Sequence, residues 1–200
     1  MTGALMVLLL CWNLFVSWGN AKFVGMNWKE GRKNGFVWWI NICAAIMSAC
    51  GFTWCYALII STVGGAFGWI PPEAVKAIQE LTYVFVIMPI LGSGLGITVY
   101  TLRRAWESGD SREIGNAAYN VFAQASNTYD AIVHMPSIFA DLGSFFGGSS
   151  SSKSSSSSSS KDDDNGGGAI AMVVVGLVIF AIIGGIWTTV QIIVDTANER

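Results

Sequence analysis

AIAMVVVGLVIFAIIGGIWTTVQIIV, residues 169–194, carries no charged side chain from end to end. As a helix these twenty-six residues measure about 39 Å, more than the roughly 30 Å of hydrocarbon that a membrane span must cross. Apolar side chains on every face leave none to turn toward water. The stretch therefore reads as a transmembrane helix rather than as one wall of a soluble core.

Three more stretches share this character. Residues 1–21 run uncharged to Lys22, residues 34–72 lie between Lys33 and Glu73, and residues 81–102 lie between Glu80 and Arg103. The second is too long for one straight span, since its 39 residues would make a helix of about 58 Å. Its crossing is placed at 36–60, with a break near Gly64, Gly65 and Gly68. Residues 67–70 then lie at the interface and Pro71-Pro72 turn the chain. Composition agrees: 52% of the 200 residues are hydrophobic, only 12% are charged, and the mean hydropathy is +0.52. Too little charge remains to cover a soluble fold. With 11 Lys+Arg against 13 Asp+Glu, no basic field exists to collect phosphates, which excludes a nucleic-acid partner.

Lysine and arginine set the expected orientation. Lys22, Lys29, Arg32 and Lys33 follow the first span; Arg103, Arg104, Arg112, Lys153 and Lys161 follow the third. If four spans cross, both groups fall on one side. The positive-inside rule makes that side cytoplasmic, with both termini extracytoplasmic in a plasma (inner) membrane. Trp18, Trp38, Trp39, Trp69 and Trp106 suit an interfacial belt, whereas Trp12, Trp54 and Trp187 read as packing residues. A cleaved signal peptide ending at Gly19-Asn20-Ala21 is the competitor for residues 1–21. It lacks a basic n-region and a polar c-region, and cleavage would leave three spans with the same loop orientation.

The segment 105–146 reads as a cytoplasmic amphipathic helix. The third helix is expected to run on to Ser108 and stop at Gly109, with Asp110 and Glu113 capping the next start. Ile114, Ala118, Val121, Ala125 and Ile132 follow at helical spacing beside Phe122, Tyr129 and Val133. Asn116, Asn120, Asn127 and Asp130 fall on the other face. This helix is expected to end before Pro136. Ile138, Phe139, Leu142, Phe145 and Phe146 would then lie on the inner leaflet or pack on the bundle; a partner's groove is the other destination. Residues 147–168 are Ser/Gly-rich, eleven serines interrupted by Lys153 and followed by Lys161 and Asp162–Asp164. Such a composition reads as a linker. The domain map is thus a three-span region (1–104), the amphipathic segment (105–146), the linker (147–168), and a terminal span with a short tail (169–200).

Small residues mark candidate helix-packing faces, because lipid removes the hydrophobic drive between helices and close backbone approach must replace it. Gly92 and Gly96 in the third span, three residues beyond a kink expected at Pro89, form one such pair. Gly64 and Gly68 form another, and Ala181, Gly185 and Thr189 line the fourth span. Ala44/Ser48 and Ala45/Ala49 repeat the pattern in the second. Polar groups within the spans are few and neutral. Asn13, Asn41 and Gln191, with Ser48, Thr53, Tyr56 and Ser93, serve as packing glue or as a pore lining. No Asp, Glu, Lys, Arg or His falls in the four spans, which argues against an ion-coupled transporter.

Little points to chemistry. Cys11, Cys43, Cys50 and Cys55 contain no C-x-x-C pair. His134 is the sole histidine, and no Ser sits in a strand–turn–helix elbow to use it. The Gly92–Gly96 run has no strand before it and is not a nucleotide loop. The expectation is an all-α, polytopic integral membrane protein: four transmembrane helices plus one cytoplasmic amphipathic helix, with no enzymatic activity, cofactor, metal or evident small-molecule substrate. Its partners would be the lipid bilayer, further copies of itself or other membrane proteins. As a function, an oligomerising scaffold or accessory subunit of a secretion, conjugation or phage-related assembly fits best. A small holin-like or channel-like pore is the alternative.

Overall fold

A computed structural model describes residues 3–29, 36–146 and 166–199. Five helices follow one another: α1 (Gly3–Lys29), α2 (Phe36–Ala66), α3 (Pro72–Ser108), α4 (Ser111–Phe146) and α5 (Gly166–Asn198). Four of them, α1, α2, α3 and α5, are long and apolar enough to cross a membrane.

Local chemistry explains the two tight turns. After α2 the chain reverses at Gly68, whose φ of +69° is open to glycine at little cost. The Trp69 and Ile70 amides both donate to the Gly64 carbonyl, at 2.8 and 3.1 Å. Pro72 then opens α3 where a missing N–H costs nothing. At the other end of α3, Gly109 adopts φ +62° and donates to the Ala105 carbonyl at 3.0 Å. Asp110 follows, its carboxylate accepting the Arg112 amide at 3.0 Å to begin α4.

Contacts between helices fix the bundle's two ends. The turn end holds the start of α1 and the α2–α3 turn; the basic end holds Lys29, the start of α2 and the α3–α4 turn. Helices α1 and α2 run antiparallel, with the Ser48 hydroxyl donating to the Ser17 carbonyl at 2.6 Å and the Asn27 amide to Asn41 Oδ1 at 3.0 Å. Helix α5 enters at the turn end, where Val174 joins Ala57, Ile70, Ala74, Ala77, Ile78 and Ala181 in the buried core. It leaves at the basic end, where Thr196 lies against Gly25.

Helices α3 and α4 lie antiparallel along their whole lengths. Arg104 pairs with Glu113 at 2.9 Å at the basic end, and Lys76 pairs with Asp141 at 2.8 Å at the turn end. Between them Thr98 donates to the Asn120 carbonyl at 3.3 Å and the Gln124 amide to the Leu91 carbonyl at 3.0 Å. Two stripes of period seven meet here: Lys76, Tyr83, Ile90, Ile97 and Arg104 on α3, and Glu113, Asn120, Asn127, His134 and Asp141 on α4. A seven-residue repeat keeps one face of each helix on its neighbour.

Helix α4 packs on the bundle, one of the destinations expected for this segment, and flanks α3 from one end to the other. Several expectations are corrected by this arrangement. Helix α4 does not end before Pro136 but runs through it to Phe146. Proline removes one helical hydrogen bond, and continuous packing against a partner helix tolerates that loss. Helix α1 likewise continues past residue 21 to Lys29, Lys22 lying 4.7 Å over the Trp18 ring. Finally, the chain ends do not share one end of the bundle. Gly3 belongs to the turn end and Asn198 to the basic end, because the added length of α4 returns the chain to the turn end before α5 begins.

Gly94 faces α4, where a Cβ would meet Gln124 Oε1 at the tip of a side chain and a bulkier residue would press further into the seam. Gly94→Leu is expected to destabilise the pair by about 2 kcal/mol, the usual cost of overpacking. Faster hydrogen exchange confined to α4 and the middle of α3 would register it.

Candidate functional site

Where α4 passes α3 near the turn end, a cleft of about 580 Å³ opens among α1, α2, α3 and α4. Its polar lining includes Asn13, Gln79, Glu80, Tyr83, Asp130 and His134, with Trp54 and Ile87 among the apolar walls. Each group is placed by its helix. Tyr83 stands one heptad from Lys76, so it faces α4 and donates its hydroxyl to Asp130 Oδ2 at 2.5 Å. Asp130 and His134 lie one turn apart on α4, with Nε2 of the histidine 3.3 Å from Oδ1 of the aspartate. Trp54 closes on Tyr83 edge to face at 5.8 Å. Gln79 donates to the Ser61 hydroxyl at 3.1 Å. Toward the turn end Lys76 lies 3.6 Å from Glu80, whose side chain is only 15% exposed. The Lys76 ammonium also donates to Asp141 and holds that carboxyl below the ordinary carboxylate range.

This cluster sets ionisable groups beside the α3 stretch that carries none of its own. Sequence reasoning missed it because Asp130 and His134 belong to α4, read as lying elsewhere. The signal that could have found it is the seven-residue polar stripe of α4, matched by the one on α3. An acidic group bonded to a phenol and an imidazole can hold or exchange a proton. Among the described residues, no three His, Cys, Asp or Glu gather closely enough to hold a metal ion.

The other polar candidates do not converge. Asn13 lines the cleft and donates to the Leu9 carbonyl in its own helix at 2.9 Å. Asn41 is buried near the basic end, accepting from Asn27. Gln191 is exposed on α5. Ser48 Oγ lies 3.4 Å from the Thr189 hydroxyl, and Tyr56 bonds Thr188 at 2.8 Å. Asn41, Ser48 and Tyr56 thus join neighbouring helices.

Among the small residues, Gly185 sits against the backbone of α2: a Cβ there would meet the Ala49 carbonyl oxygen and the Thr53 nitrogen at 2.7 Å each. Ala181 is buried in the core. A Cβ on Gly96 would lie 2.9 Å from the Cys43 sulfur, and one on Gly64 would strike Ile70 within the turn. Gly68 and Gly92 face open space. Gly25 and Gly51 were not singled out by spacing, yet both sit at crossings, against Thr196 and Ser17. Lone glycines carry no pair motif, so only the fold reveals their partners.

Four apolar helices of membrane-crossing length, joined by small-residue contacts and neutral hydrogen bonds, are the build of a polytopic integral membrane protein. Set against known protein families, characterised proteins and solved structures, the chain matches none.

Proposed function

We propose that this chain is a non-enzymatic subunit of a membrane-embedded assembly, acting as an oligomerising scaffold or accessory component of the kind found in secretion, conjugation or phage-related machinery. One observation carries the reading. Polar side chains of the apolar helices join helices within the chain, Asn27 to Asn41, Ser48 to Ser17, Tyr56 to Thr188 and Gln79 to Ser61, while large apolar side chains cover its outside: Phe85, Met88 and Leu95 on α3, Phe180, Ile183 and Trp187 on α5. Such a surface suits lipid and neighbouring membrane helices. Separation of Asn13, Asn41 and Gln191 weighs against a pore lined by one chain.

Orientation belongs to the same proposal. Lys29, Arg103, Arg104 and Arg112 gather at the basic end, and the α1–α2 connection adds Arg32 and Lys33. The positive-inside rule turns that end to the cytoplasm of a plasma (inner) membrane. The amino terminus is then extracytoplasmic and the carboxyl terminus cytoplasmic.

Crosslinking in native membranes, together with a dye-retention assay on proteoliposomes, tests the function. Crosslinked oligomers or hetero-complexes with the dye retained are the expected result. Monomer alone, or release of the dye, overturns the scaffold reading, and release would establish the pore.

A further inference from the structure

We infer that α4 crosses the bilayer as a fifth membrane-spanning element, paired with α3 and bathed by lipid acyl chains on its outer face. The inference rests on the reading that α1, α2, α3 and α5 span the membrane, and adds what their apolarity alone does not reveal.

Geometry comes first. The Arg104–Glu113 and Lys76–Asp141 pairs tie α4 to α3 at both ends. The stretch of α3 between these anchors measures about 42 Å. Whatever α3 traverses between them, α4 traverses too.

Amphipathic direction supplies the second, independent observation. A helix packed on a protein in water turns its apolar face inward and its polar face out; α4 buries Ala117, Ala131 and Leu142 but departs from this pattern around them. Asn120, Gln124, Asn127 and Asp130 are at least partly covered on the side toward α3 and the cleft. Phe122, Tyr129 and Ile132 stand outward, 74%, 71% and 69% exposed. From Ala118 to Ala140 the positions exposed overall carry no ammonium, guanidinium, carboxylate or amide; the Asp130 carboxylate and the His134 ring, with side chains 47% and 57% exposed, both line the cleft. Residues 118–140 cover about 34 Å of helix, the thickness of the hydrocarbon core. Phe85, Met88, Leu95 and Val99 on α3 are exposed apolar side chains as well, so the same solvent suits both helices.

Asp130 is the group that such a crossing must accommodate, and it has its partners: the Tyr83 hydroxyl and the His134 ring. An ionisable residue in a span is expected to face the bundle interior and to be paired in this way. Hydropathy passes over α4 because its polar stripe lowers the average, although that stripe faces protein.

The consequence is a side of the membrane. If α4 crosses, the segment joining α4 to α5 emerges with the amino terminus, opposite the α1–α2 connection. Four variants of the full chain, each with one added cysteine, test this: Thr2→Cys, Asn34→Cys, Ser155→Cys and Glu199→Cys. Each is exposed in sealed right-side-out vesicles to a membrane-impermeant maleimide before and after permeabilisation, with the unaltered chain reporting labelling of the native cysteines. The expected result is that Ser155→Cys behaves like Thr2→Cys, and Asn34→Cys and Glu199→Cys like each other and opposite to both. Should Ser155→Cys share the behaviour of Asn34→Cys while Thr2→Cys differs, α4 does not cross, and this inference falls with the four spans intact. Release of the chain by alkaline carbonate, or equal labelling of Thr2→Cys and Asn34→Cys without permeabilisation, overturns the membrane reading and the inference with it.

Discussion

Gly185→Val is expected to destabilise the bundle by about 3 kcal/mol, the upper end of the usual overpacking cost. The reason lies in what the new Cβ would meet. Ala49 O and Thr53 N, at 2.7 Å, are backbone atoms of α2 and cannot rotate away. Valine's two methyl groups then force α5 off α2, exposing the core around Ala181 and breaking the Ser48–Thr189 and Tyr56–Thr188 contacts beside it. Gly92→Val supplies the control, since nothing lies within 4 Å of a Cβ at that position. A change within about 0.5 kcal/mol is expected there. Unfolding in mixed detergent micelles, followed by tryptophan fluorescence, measures both. Equal effects at the two glycines would show that α5 does not dock at this crossing.

Tyr83→Phe is the second large effect, at about 2 kcal/mol. Hydrogen bonds between neutral side chains in membrane bundles average roughly 0.6 kcal/mol, because unfolded helices in lipid find other partners. A bond to an ionised acceptor is worth about 1.5–3 kcal/mol. Tyr83 donates to the carboxylate of Asp130, whereas Tyr56 meets only the hydroxyl of Thr188. The same deletion of a phenolic oxygen should therefore cost about threefold more at position 83 than at 56. A double-mutant cycle of Tyr83→Phe with Asp130→Ala isolates the pairwise part. Coupling below about 0.5 kcal/mol, the level of an exposed pair in water, would mean that the carboxylate is hydrated and the α3–α4 seam is open to solvent.

The two predictions fall on opposite sides of what could be read in advance. Gly185 was legible: a small residue four positions from Ala181 and from Thr189, in a helix apolar on all sides, invites a neighbour. The Gly109 stop and the Asp110 cap were legible for the same reason, since both depend on residues adjacent in the chain. The break after Gly64, with Pro71 and Pro72 beyond it, belongs with them. Tyr83 gave no such signal. Its partner stands 47 residues away, on a helix whose average polarity suggested another location. Asp130 looked like part of the polar face turned away from the apolar stripe until α3 was laid against it.

What the amino-acid order alone determines here is which four segments are apolar enough to cross a membrane and where the α2–α3 and α3–α4 turns fall. Transfer of a side chain into hydrocarbon is paid residue by residue, and caps and turns act over a few positions, so both can be read along a line. Which face of α4 turns inward, and at which end of the bundle the chain finishes, was decided only by the tertiary structure. Both depend on matching two seven-residue stripes on separate helices, and a polar stripe has the same composition whether it meets water or a complementary partner.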